Sequence, residues 1–292
     1  MLRYVKSLKE ENKLMLPLNV RYVRFIRKAI PYIASTIASA HYRESKIKTL
    51  EYKKYWDIFS SKIYSSSFLQ KIKVVVSIHD KRVLLRLFSL DDEVIHDIFE
   101  RKVYEVYDGP KKGEIVIDAG AHIGLFSIRA SQLVGPKGLV IAIEPYPDNF
   151  NILLRNIKLN SLKNVIPLNV ALSNREGRAK LYIDKKTTAG HSIIKGIRNS
   201  ISSEFILVPS MTLDSLVKKL NLNRIDFIKI DVEGAEYLLL QGAREVLSNN
   251  EVRIAMEAMD NENIRKKCTR FLQALGFKVT ERKGFLYAWK KM

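Results

Sequence analysis

The sequence contains a single cysteine, Cys268, among its 292 residues. One thiol excludes an internal disulfide framework and a cysteine-based zinc site, and it fits a reducing cytoplasm. Long apolar runs are missing as well. The longest apolar-leaning stretch, Ala29 to Ala40, is 12 residues and contains Pro31, whereas a membrane-spanning helix needs about 20. No transmembrane helix is therefore expected, and Met1 to Glu11 lacks the apolar core of a signal peptide. Internal repeats and low-complexity segments are absent. Glutamine is scarce, at four (Gln70, Gln132, Gln241, Gln273), beside abundant Lys, Ile and Glu, a composition that leans towards a thermophile. Acidic residues are also in short supply: 31 Asp and Glu face 50 Lys and Arg, for a formal charge of +19.

That excess is uneven. Residues 1–71 carry 15 Lys and Arg against 5 Asp and Glu, a net of +10, whereas the other 221 residues carry 35 against 26. A basic surface favours RNA, an anionic membrane or an acidic substrate, and a peripheral membrane location fits the same charge. Solubility on a lysine-rich background is the plainer alternative. Leu18, Tyr22, Phe25 and Ile26 recur at helical spacing with Arg21, Arg24, Arg27 and Lys28 between them, so residues 1–71 read as a basic helical region. Its candidate roles are a lid, an acceptor or partner contact, or a homodimer surface.

Residues 72–292 read as one α/β domain with a preceding hairpin and helix at 73–108. Lys73 to Ile78 and Arg82 to Phe88 look like strands around a His79–Lys81 turn, and Ser89-Leu-Asp-Asp92 resembles a capping box opening a helix to roughly Tyr104. From Glu114 the rhythm becomes strand, helix, strand. Strands are expected at Ile115–Ile117, Leu139–Ile143, Val165–Leu172, Phe227–Ile230 and Val252–Met256. Helices are expected at Gly124–Val134, Asp148–Asn160, Thr212–Leu220, Glu236–Leu247 and Ile264–Leu275. Leu181–Ile183 and Phe205–Val208 suggest an inserted antiparallel excursion, and Phe277–Thr280 with Phe285–Trp289 a final hairpin. The alternation predicts a doubly wound, mostly parallel Rossmann-like sheet.

The most informative stretch is Ile117-Asp-Ala-Gly-Ala-His-Ile-Gly124, between the first strand and its helix. Ligands bind at the carboxyl ends of such strands. Gly120 is expected to let the backbone approach a ligand, and Gly124 to let the helix start close to the sheet. The spacing is D-x-G-x-x-x-G, not the dinucleotide G-x-G-x-x-G. Asp118 would repel a pyrophosphate but suits the ammonium of S-adenosylmethionine, and no Gly-Lys-Ser/Thr follows to make a phosphate loop. Glu144 ends the next strand, where a carboxylate can accept both hydroxyls of a ribose. The alternative for each is structural: Asp118 as a helix cap, Glu144 as a partner of a surface base.

These segments resemble the FkbM family of S-adenosylmethionine-dependent methyltransferases over about Asp92 to Glu257. The resemblance rests on Val116-Ile-Asp-Ala-Gly-Ala-His-Ile-Gly124, Ala142-Ile-Glu-Pro-Tyr-Pro147, Ala171-Leu-Ser-Asn174, Thr212-Leu-Asp-Ser-Leu216 and Ile228-Lys-Ile-Asp-Val-Glu-Gly-Ala-Glu236. The last is the most specific. His122 departs from the Asn often found in that loop. The resemblance implies a class I methyltransferase fold, usually seven strands with the last antiparallel, and commonly O-methylation of sugars or natural products, with S-adenosylhomocysteine as product. It extends the cofactor surface to Ala121, His122, Pro145 and Ala171.

Transfer to a hydroxyl needs a group to take its proton, or a metal to acidify it. Asp231 and Glu233 follow the fourth strand, Glu257 follows the fifth, and His191 sits in the inserted loop; these are the candidate catalytic residues. Asp231 also belongs to the expected cofactor surface. Asp231, Glu233 and Glu257 together form a candidate Mg²⁺ site, since hard cations take carboxylate oxygens. The acceptor is read as a small molecule or glycan, free or lipid-linked. Two other readings stand beside this one. In the first, the basic N-terminal region grips RNA and the domain methylates a base, although Asp231-Val-Glu-Gly replaces the Asn/Asp-Pro-Pro-aromatic turn usual for amino groups. In the second, the chain is a membrane adaptor that retains the fold without turnover.

Overall fold

Short runs of Ile, Val and Leu that are buried along their whole length become parallel strands covered on both faces, and the centre of this chain is built from them. The computed structural model describes residues 17–19, 73–78, 80–86, 89, 91–258 and 261–290. The chain divides into two compact units, residues 1–93 and 94–292.

In the first unit, β1 (Pro17–Asn19) runs parallel to β2 (Lys73–Ile78), which pairs antiparallel with β3 (Lys81–Arg86). Leu18 is thus a strand residue opposite Val76, not part of a helix. The remaining helical expectation for residues 1–71 lies outside the described residues. The Ser89 hydroxyl accepts from Asp91 N at 3.1 Å. The buried Asp91 carboxylate receives Arg86 Nε and Nη2, each at 3.1 Å. The helix that follows, α1 (Asp91–Ile95), widens into π-helical turns at His96–Arg101 and stops at Lys102, whose φ of 52° is left-handed. A 3₁₀ turn at Val103–Glu105 follows, so the expected single helix to Tyr104 is three short pieces.

The second unit holds a seven-stranded sheet. Its strands are β4 (Ile115–Ala119), β5 (Leu139–Ile143), β6 (Val165–Leu168), β10 (Phe227–Ile230), β11 (Arg253–Glu257), β12 (Lys278–Arg282) and β13 (Phe285–Trp289). The order across it is β12-β13-β11-β10-β4-β5-β6. β13 runs antiparallel between β11 and β12, and the other pairings are parallel. The order reverses beside β4, which leaves a crevice at the carboxyl ends of β4 and β10. Helices α2 (Leu125–Val134) and α3 (Pro147–Leu159) follow β4 and β5, and α7 (Glu262–Ala274) follows β11. This is the mostly parallel, doubly wound Rossmann-like sheet that the alternation predicted.

Two further expected elements are broken, both by tertiary contacts. The strand expected over Val165–Leu172 ends at Leu168, because the Asn169 amide donates to the carbonyls of Glu144 and Pro145, at 2.7 and 3.0 Å. Its remainder, β7 (Ala171–Leu172), joins β9 (Ile201–Met211) and β8 (Gly177–Asp184) in a separate sheet. After α4 (Leu213–Lys219), the helix expected over Glu236–Leu247 splits into α5 (Glu236–Gln241) and α6 (Arg244–Asn249). A β-carbon at Gly242 would lie 2.1 Å from Ser173 O, and the Asp214 carboxylate accepts from Glu245 N and Val246 N, restarting the helix. Among the described residues no helix is long and apolar enough to cross a membrane.

Candidate functional site

The turn from β4 into α2 opens the crevice. Gly120 and Gly124 have φ of 76° and 90°, which glycine adopts freely, and His122 is left-handed at 53°. Gly120 lines the pocket, as the spacing suggested, and each glycine also makes room for a neighbour. A β-carbon on Gly120 would meet Asp231 O at 1.8 Å, so its close approach is to the end of β10. One on Gly124 would strike the Leu153 side chain at 2.5 Å, so it lets α2 start against α3, away from the pocket wall.

Glu144 stands one residue past β5. Its carboxylate accepts His122 N at 2.8 Å on one oxygen and Tyr146 N at 2.9 Å on the other, so the ring-bearing loops orient it. Burial pushes its pKa up to about 7, and the two backbone N–H groups counter only part of that. Glu144, Pro145 and Asn149 form one wall of a pocket whose other walls include Gly120, Ala121, His122, Ala171 and Asp231. Apolar side chains, among them Ile143, Val170, Leu172 and Phe126, fill the space between them.

Asp118 is placed differently from the sequence expectation. It is fully buried under the loop and does not line the pocket. Ser127 Oγ donates to its Oδ2 at 2.6 Å, and Lys229 Nζ lies 3.2 Å from its Oδ1. The pairing follows from register, since Lys229 of β10 sits directly opposite Asp118 of β4. Lys229 Nζ also donates to Gly120 O at 2.5 Å and lies 3.5 Å from Asp231. Burial pulls its pKa down, but Asp118 and then Asp231 outweigh this and leave it raised. Lys229 is therefore a fixed cation that ties the glycine loop to the end of β10. It was legible as the single charge inside Phe-Ile-Lys-Ile, a run that is buried at every position.

Asp231 lines the pocket from the end of β10. Glu257, at the end of β11, lines an adjoining cavity instead, whose walls also carry Asp231, Glu233 and Glu236. The Tyr104 hydroxyl lies 3.1 Å from Asp231 Oδ2 and 2.9 Å from Glu257 Oε2, joining the two carboxyls. Burial and then Asp231 push Glu257 up to about 8. Glu233 lines both spaces but is paired with Arg198 at 2.7 Å. Asp231, Glu233 and Glu257, expected to take Mg²⁺, all line the adjoining cavity, but among the described residues no group of three metal-ligating side chains forms. His191 lines the pocket from the inserted loop, where its Nδ1 accepts from Asp184 N at 3.0 Å and its ring lies 4.0 Å from that of Tyr146.

Tyr104 and Lys229 are the residues that sequence reasoning passed over. Nothing in the local sequence marks Tyr104, which meets its partners only through the fold. The pocket's ionisable lining is Glu144, Asp231 and Glu233 against Lys229 alone, with Tyr104, His122 and His191. That acidic balance suits a cationic cofactor such as a sulfonium bearing an ammonium group, and opposes a pyrophosphate.

The family model of the methyltransferase FkbM domain matches residues 118–285. The chain is 26% identical over 214 residues to methyltransferase sdnD of Sordaria araneosa, spanning 64% of this chain and 82% of that protein. It is 27% identical over 210 residues to methyltransferase 1 of Beauveria bassiana (strain ARSEF 2860), spanning 65% and 83%. Among solved structures it is similar to methyltransferase FkbM from Methylobacillus flagellatus KT, at 18% identity and a TM-score of 0.48, covering 67% of this chain and 48% of that one.

Proposed function

The chain belongs to the methyltransferase FkbM domain family and is an S-adenosylmethionine-dependent methyltransferase, and from that premise we propose that it methylates a hydroxyl on a neutral, polyhydroxylated acceptor. A sugar, a glycan, a lipid-linked glycan or a natural product would serve. One observation carries this reading: Asp231 lines the cofactor pocket and, at the same time, an adjoining cavity walled by Glu233, Glu236 and Glu257. Carboxyl groups in these walls can exchange hydrogen bonds with the hydroxyls of such an acceptor.

Bound S-adenosylmethionine supplies a methyl group on a sulfonium, whose sulfur leaves neutral in S-adenosylhomocysteine. Glu144 would hold the ribose hydroxyls, oriented by His122 N and Tyr146 N. Ile143, Val170 and Leu172 would cover the base. Gly120, Ala121 and His122 would meet the amino-acid end, and Lys229 keeps their loop in place. Asp231 takes the acceptor's proton, and Glu233, His191 and Ala171 shape the surrounding wall. Residues 1–71, with their net charge of +10, are proposed to dock an anionic carrier of the acceptor, such as a lipid phosphate.

Cell extract incubated with methyl-labelled cofactor and this protein tests the proposal. Label in a glycan, glycolipid or natural-product fraction, as an alkali-stable ether, is the expected result. Asp231→Asn should lower incorporation by ~10²–10⁴-fold. Label confined to RNA would contradict the proposal.

A further inference from the structure

We propose that Tyr104 is a positioning residue of the methyl-transfer site, holding Asp231 and Glu257 as one hydrogen-bonded unit that aims the Asp231 carboxylate at the cofactor. This deepens the role given to Asp231 above and rests on it. Tyr104 lies upstream of residues 118–285, the part of the chain that the family model matches. A residue of the lead-in segment thus completes the site.

The argument is a count of protons. The Tyr104 oxygen is 2.9 Å from Glu257 Oε2 and 3.1 Å from Asp231 Oδ2, yet a phenol carries one hydrogen. Both contacts are favourable only if one carboxyl brings a hydrogen of its own. The phenol does not lose its proton: burial, then Asp231 and Glu257, raise its pKa well above 10.0. Lys229 Nζ lies 3.5 Å from Asp231 Oδ2, the oxygen that Tyr104 also approaches. Glu257, pushed up to about 8 by burial and by Asp231, keeps the proton. The chain of donors therefore runs from Glu257 to Tyr104 to Asp231.

The ring cannot swing away from this duty. Tyr104 is buried, with edge contacts to Phe126 at 5.3 Å and Phe285 at 5.6 Å, and Lys229 Nζ is 5.4 Å from its ring centre. Asp97 from the π-helical turns also raises the pKa of Glu257, and Asp231 in turn raises that of Glu236 of α5. Removing the Tyr104 hydroxyl would leave Asp231 without the donor that aims it.

Sinefungin, which carries an ammonium-bearing carbon where the cofactor has its methyl sulfonium, reads the charge at that point without any acceptor. The experiment is calorimetric titration of the full-length protein with sinefungin and with S-adenosylhomocysteine at pH 7. The unmodified protein should prefer sinefungin by roughly tenfold, the scale of one charge-assisted hydrogen bond. Asp231→Asn should abolish the preference. Tyr104→Phe should cut it to about threefold or less, while S-adenosylhomocysteine binds within about twofold of the original. If Asp231→Asn abolishes the preference and Tyr104→Phe leaves it whole, the positioning role is wrong and the Asp231 reading survives. If Asp231→Asn leaves it whole, or the unmodified protein shows none, both are wrong. Should Tyr104→Phe not fold, 4-aminophenylalanine at position 104 keeps the ring and a donor. It should retain the preference, and losing it would overturn the proposal.

Discussion

The carbonyl oxygen of Asp231 lies 1.8 Å from the position that a β-carbon on residue 120 would take. The cofactor loop and the end of β10 are therefore packed backbone to backbone, and residue 120 must be glycine for the sheet's own sake.

Gly120→Ala is expected to lower the melting temperature by roughly 5–10 °C, because a backbone carbonyl cannot step aside as a side chain can. S-adenosylhomocysteine binding should fall with it. An unchanged melting temperature with lost binding would return the role of Gly120 to ligand contact alone.

Lys229→Met should be among the costliest single changes. It strands the buried Asp118, whose partners are Lys229 and Ser127, and breaking a buried pair from one side costs about 3–5 kcal/mol. Asp118→Asn in the same protein should recover much of the loss. Denaturant unfolding of the two variants and the unmodified protein checks this, and a Lys229→Met cost below about 1 kcal/mol would contradict it.

The strands and the carboxylates at their ends could be read from sequence because burial writes itself as runs such as Leu139–Ile143 and the first polar residue after each run marks the sheet edge. Glu144 and Asp231 were found that way, and both line the pocket. Asp118 was misplaced because spacing alone does not reveal which strand partner will neutralise it. Lys229, directly opposite in the sheet, does so. The breaks at Asn169 and Gly242 depend on contacts with Glu144 and Ser173, distant in sequence, and no local pattern carries them. Tyr104, in a 3₁₀ turn, escaped for the same reason, since its two partners are distant in sequence, at the ends of β10 and β11.

Glu144 and Glu236 rise from 4.5 to about 7, and Glu257 to about 8, in each case chiefly through burial. Each therefore holds its proton more tightly folded than unfolded. Between about pH 4.5 and pH 7–8 the folded protein carries more protons than the unfolded chain, so these groups make stability fall as pH rises. The penalty is absent below that window and complete above it. Melting temperatures of the ligand-free protein from pH 5 to 9 should decline, and Glu257→Gln should flatten the portion between pH 7 and 8. A slope unchanged by Glu257→Gln would count against a protonated Glu257.

Residues 1–71 hold 15 of the 50 basic side chains and precede the family-matched segment. Charge reversal at Arg21, Arg24 and Arg27 should leave S-adenosylhomocysteine affinity within about twofold while weakening binding to vesicles containing anionic lipid, by about 1 kcal/mol per charge removed. Equal vesicle binding by the reversed protein would remove the docking role.

The most direct test is a crystal structure of the full-length protein grown with S-adenosylhomocysteine. The expected complex has both ribose hydroxyls donating to Glu144 at about 2.6–3.0 Å, the adenine between Ile143 and Leu172, and the sulfur on the Asp231 side of the pocket. A ligand seated elsewhere, or a sulfur turned away from Asp231 and the cavity it shares with Glu257, would contradict the account.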